Sequence, residues 1–92
     1  MNKAKLKLIR LQLDKIDDKL LNFIKKRTDL VKKIIKIKKF KKQIIDKKTI
    51  KIVLRRIKKN SIKKGIDPIL TRKIWLSIIY SYVDFQKRNF KK

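Results

Sequence analysis

From about Lys3 to Phe40 the chain contains no glycine and no proline, and its apolar residues Ile9, Leu13, Ile16, Leu20, Ile24, Leu30 or Val31, Ile34 and Ile37 advance by threes and fours. That spacing holds them on one stripe of an α-helix and predicts a single helix on the order of 50–55 Å long, at 1.5 Å per residue. In a chain of 92 residues, such a helix outruns what the remaining sequence is able to cover. A partner helix is the simplest cover for the stripe, so helix length predicts an intertwined homodimer.

Two shorter helices are expected to follow. Asp46 stands as an N-cap for a helix through about Lys63, with Ile50, Val53, Leu54 and Ile57 inward and Gly65 just past its end. Asp67-Pro68 reads as N-cap followed by proline at the first helical position, and the third helix runs to about Phe90. Its inward residues are expected on two lines, one of Leu70, Ile74, Ile78 and Phe85, the other of Trp75, Ile79, Tyr82 and Gln86. Lys38 to Gln43 is a short loop at most. No repeat or low-complexity linker interrupts the chain, so the expected fold is all-α, three helices in one domain spanning residues 1–92.

Absent residue types narrow the chemistry. There is no cysteine and no histidine, which removes disulfides, thiolate nucleophiles, imidazole bases and the usual zinc ligands. Catalysis would have to run on Lys, Arg, Asp, Gln, Ser, Thr and Tyr, with no metal and no cofactor expected. No apolar run has the length of a signal-peptide core or a membrane span, so a soluble, cytoplasmic protein is expected. The formal charge of +24 raises nucleic acid as a partner, since clustered cations release counterions from phosphate backbones. Yet only six of the 31 basic residues are arginine, isoleucine is as over-used as lysine, and Ala, Gly and Pro occur once each. An AT-rich coding sequence produces that pattern without selection for binding, so nucleic acid is not the expected partner.

Several polar residues fall at telling places. Arg27 lies beside the inward stripe of the first helix, where a guanidinium needs an anionic partner. Lys38 follows eleven residues later, almost three whole turns, which sets the two cations on one face about 16 Å apart. Gln86 continues an aromatic-rich line with an amide that needs hydrogen-bond partners if buried. Arg10, seventeen residues before Arg27, falls about 25 Å away and turned by about 100°, so it reaches the same place only from an antiparallel second subunit. Together these groups suit a small polyanion. Simpler readings stay open: an ion pair of Arg27 with Asp29 or a partner's Asp14, a solvated Lys38, surface positions for Gln86 and Arg10, and a capping role for Asp46.

Taken as a set, Ile9-Arg10, Leu13-Asp14-Lys15-Ile16-Asp17, Leu20-Leu21, Arg27-Thr28-Asp29-Leu30-Val31, Lys38, Gly65-Ile66-Asp67-Pro68, Ile74-Trp75 and Ile78-Ile79 through Gln86 resemble the all-helical (AroQ-type) chorismate mutases, and among them the short monofunctional alphaproteobacterial type. The likeness covers about residues 6–90. It implies an isomerase of phenylalanine and tyrosine biosynthesis, on the shikimate pathway, that rearranges chorismate to prephenate inside one molecule without nucleophile, metal or proton shuttle. Such a protein needs only to hold the reactive conformer and stabilise charge on the breaking ether oxygen. The resemblance implies that Arg27 and a neighbouring subunit's Arg10 grip the substrate carboxylates, that Lys38 and Gln86 donate to the ether oxygen, and that Asp46 lines the substrate hydroxyl. It departs from the family at Thr49 and Ile50, where an Arg-Glu pair is usual, and at Tyr82, where some members carry a small hydroxyl residue. Two other readings are compatible with the residues: an isochorismate-pyruvate lyase of similar scaffold, and a degenerate basic helical dimer that binds nucleic acid or an anionic membrane surface.

Overall fold

The computed structural model describes residues 2–90, and for Lys42 the backbone alone. Three α-helices are present, α1 (Lys3–Ile37), α2 (Lys47–Lys63) and α3 (Pro68–Asn89), with a 3₁₀ turn at Lys41–Ile44 and no strand among the described residues. The all-α expectation is met. The chain divides into two compact units, Met1–Lys33 and Ile34–Lys92.

The first unit is helix throughout its described length after Asn2. Asn2 caps it, with the side-chain Oδ1 accepting from the Lys5 amide at 3.1 Å. No acidic residue stands in the first turn to offset the helix dipole, so that amide cap carries the start of the helix. The apolar stripe runs as expected and is buried at Val31, but most of it is exposed: Leu13, Ile16 and Leu20 are each more than half exposed, as is Phe23 beside them. A helix this apolar on one side and this exposed draws little stability from its own unit.

In the second unit α2 and α3 form a helical hairpin, and the 3₁₀ turn packs on α3. The turn between the helices is set by Gly65, whose φ of +69° few residues other than glycine adopt. There the Ile66 amide donates to the Ser61 carbonyl at 2.8 Å and the Gly65 amide to the Ile62 carbonyl at 3.2 Å. Those bonds satisfy the last carbonyls of α2 in the pattern of a Schellman cap. Asp67 then caps α3 through the Ile69 amide, with Pro68 at the first position, as the sequence predicts.

The core of this unit is Ile35, Ile44, Ile57 and Val83, together with three buried polar residues, Ser61, Thr71 and Gln86. Ser61 Oγ donates to the Ile57 carbonyl at 2.6 Å and lies 2.8 Å from Thr71 Oγ1. Because the serine proton is already committed to Ile57, the threonine hydroxyl is the donor between them. This pair fixes how α3 is turned on α2 and revises the predicted inward lines. Leu70 and Ile74, expected inward, are 52% and 42% exposed, while Thr71 and Val83 take the buried positions. Two hydroxyls that satisfy each other lose little by burial, so polarity alone misassigns them. The line of Trp75, Ile79, Tyr82 and Gln86 is half-buried or buried, as expected.

The end of α1 also differs from expectation. The helix stops at Ile37 and not at Phe40, and Lys41–Ile44 is a 3₁₀ turn where a plain loop was predicted. Gln43 explains the stop. Its Oε1 accepts from the Lys39 and Phe40 amides, both at 2.9 Å, drawing those donors out of the helical ladder.

Candidate active site

Lys38 sits one residue past α1, its amide still donating to the Ile34 carbonyl at 3.1 Å. Its side chain is half-buried, and Nζ donates to Gln86 Oε1 at 3.0 Å. These residues are 48 positions apart, so the bond exists because α3 and the α1–α2 connection pack in one unit. Gln86 is only 9% exposed, and its carbonyl oxygen accepts from the ammonium. The side-chain amide N–H₂ of Gln86 then remains as the donor end, beside a cation with further N–H groups of its own. Burial pushes the Lys38 ammonium below its ordinary pKa, and the nearby charge of Asp46 partly opposes that shift.

Asp46 is the N-cap of α2, as the sequence predicts. Its Oδ1 accepts from the Lys48 amide at 3.1 Å and the Thr49 amide at 3.2 Å, and its Oδ2 accepts from Thr49 Oγ1 at 2.9 Å. The Thr49 hydroxyl and then the Thr49 amide hold the carboxyl below the usual carboxylate range. Lys38 and Asp46 line one open depression of about 490 Å³, together with Gln43, Ile45, Lys47 and Lys48. Sequence reasoning missed Gln43 and the bond from Thr49. The Asp-x-x-Thr spacing at 46–49 was the available signal for the latter, since a capping side chain reaches the residue three positions on.

The remaining candidates belong to the first unit. Arg27 is half-buried on α1. Asp29, the carboxylate proposed above as its ion-pair partner, is bound by Lys25 Nζ at 2.8 Å, and that hydrogen bond is the main reason its carboxyl lies below the ordinary range. Arg10 is exposed, in a shallow depression of α1 that Lys7 and Asp14 also line. A larger depression, about 850 Å³ between α2 and α3, has an apolar floor that includes Leu54 and Leu76 and cations such as Arg55 and Arg72 at its rim. None of the five candidate residues lines it, and it offers no paired donors like those of Lys38 and Gln86.

A family model described as chorismate mutase type II matches residues 9–87. The chain belongs to that family. No curated protein and no solved structure matches it. Chorismate mutases are isomerases, and the matched span takes in Arg10, Arg27, Lys38, Asp46 and Gln86. Lys38 Nζ and the Gln86 amide lie side by side through one hydrogen bond of 3.0 Å. Among the described residues no three acidic groups gather as a metal site would require, and no helix is long and apolar enough to cross a membrane.

Proposed function

We propose that this chorismate mutase converts chorismate to prephenate as a homodimer, in the cytoplasm, with residues 1–92 forming one catalytic domain. The observation that carries the reading is the Lys38–Gln86 pair, an ammonium bonded at 3.0 Å to a buried amide within a family of this chemistry. With Oε1 engaged, the amide N–H₂ and the remaining ammonium N–H groups donate to the ether oxygen as its bond to carbon lengthens. Both are stronger donors to the developing oxyanion than to the neutral ether, which lowers the barrier selectively. Arg27 binds one substrate carboxylate as a bidentate fork and Arg10 of the partner subunit binds the other. Asp46 accepts from the ring hydroxyl, a role made more important by Ile50, whose side chain offers no hydrogen bond.

The exposed stripe of α1 supports the dimeric reading. Leu13, Ile16 and Leu20 are about half exposed, so covering the rest of each gains on the order of 1 kcal/mol, and an antiparallel second copy supplies that cover while delivering Arg10. The high positive charge needs no nucleic-acid partner, and it draws the dianionic substrate in by its long-range field.

The direct test is to supply chorismate and isochorismate separately to the purified protein and follow prephenate and pyruvate. Prephenate formation is expected. No turnover of chorismate, or pyruvate released from isochorismate alone, would overturn the proposal.

A further inference from the structure

Thr49 stands where the family resemblance leads one to expect an arginine, and its hydroxyl is bonded to Asp46 Oδ2 at 2.9 Å. Three donors reach the Asp46 carboxylate, all from the first turn of α2, so its position is set by the helix and not by solvent. A carboxylate has about four acceptor directions, which leaves room for one further donor on Oδ2. Across the same depression lies Lys38, which spends one N–H on Gln86. Asp46 is the single carboxylate among the described residues that line this depression, and the other charged groups there, Lys47 and Lys48, repel Lys38. Gln86, from α3, is neutral.

We propose that Asp46, pinned by the Thr49 hydroxyl, is the counter-charge that holds the Lys38 ammonium in place over Gln86, making Asp46 and Thr49 positioning residues for the donor pair. This deepens the mutase reading and rests on it for its catalytic consequence. Burial disfavours the charged form of Lys38, and the field of Asp46 restores part of what burial takes away. The sign is fixed: Lys38 is a charged, strong donor only while protonated, so Asp46 extends the usable range toward higher pH. Thr49 thereby serves the first turn of α2 by fixing an anion, where an arginine would add a cation.

Two variants separate this role from helix capping. Asparagine caps as well as aspartate but carries no charge, so Asp46→Asn preserves the start of α2 and removes the field, and the Lys38 titration without substrate reads that loss apart from any change at the ring hydroxyl. The Lys38 pKa is read directly by NMR on ¹³C-lysine-labelled protein, with Lys38→Arg identifying the resonance. In Asp46→Asn it should fall, with the alkaline limb of kcat/KM moving down in the same direction. The difference should shrink in 1 M salt, because Asp46 is exposed. Thr49→Val should lower the Lys38 pKa in the same direction, and Thr49→Ser should restore it. An unchanged Lys38 titration in both Asp46→Asn and Thr49→Val would overturn the proposal. If the titration shifts while the wild-type protein leaves chorismate intact, the mutase reading fails and the counter-charge stands.

Discussion

The Lys38 side chain shows how one residue acquires a role that its type does not predict. Among so many lysines it is distinguished by half-burial and by a bond to an amide that is itself buried. Replacing it with alanine removes the donor and leaves Gln86 Oε1 without its partner, so Lys38→Ala should lower kcat by about 10²-fold or more, measured by chorismate consumption. The pH dependence follows from the same environment. Since burial holds the folded-state pKa below 10.5, the rate should fall as pH rises, beginning at lower pH than for a solvated lysine. A rate independent of pH up to the ordinary lysine range would contradict that assignment.

At the scale of elements, the α2–α3 hairpin depends on a few local devices. Gly65 has open space around the position a Cβ would occupy, so Gly65→Ala is penalised by its left-handed backbone alone, about 1–2 kcal/mol in chemical denaturation. The Ser61–Thr71 pair should behave as a coupled unit. Thr71→Val leaves Ser61 still donating to Ile57 but removes its buried partner, at a cost of about 1 kcal/mol. Ser61→Ala on its own leaves the Thr71 hydroxyl with only distant carbonyls, those of Asp67 and Pro68 at 3.4 Å. The double variant should lose less than the sum of the two, and a double-mutant cycle reads the difference. Additive losses would mean that the two hydroxyls do not depend on each other.

For the whole molecule, the decisive question is whether two subunits build each site. If Arg10 acts across the dimer, Arg10→Ala and Lys38→Ala each disable every site in their own homodimers. Mixed after denaturation and refolded together, they form heterodimers in which one site has both residues intact. Activity should then return to about a quarter of the wild-type value, for random pairing of equal amounts. If Arg10 serves its own subunit, no activity returns. Charge acts at the same scale: self-repulsion among the excess cations opposes folding and assembly, so the melting temperature should rise from low to moderate salt. A melting temperature that falls over that range would show that specific ion pairs outweigh the repulsion.

The sequence by itself determined the helices, because their signals are local. A breaker-free apolar period marks α1, Asp46 and Asp67-Pro68 mark the starts of α2 and α3, and Gly65 marks the turn between them, each effect acting within about one helical turn. The family, too, was legible from the order and spacing of Arg10, Arg27, Lys38 and Gln86. Tertiary structure alone decided which donors meet and which faces are buried. Nothing local to Ser61 or Thr71 reveals that two hydroxyls ten residues apart will satisfy each other and turn α3 so that Leu70 faces outward. Nothing local to Lys38 reveals that α1 stops just before it because Gln43 takes the next two amides. Nor does it reveal that the freed ammonium lands on an amide 48 residues away. Caps and periods are set by neighbours along the chain, whereas burial and pairing of polar groups are set by neighbours in space.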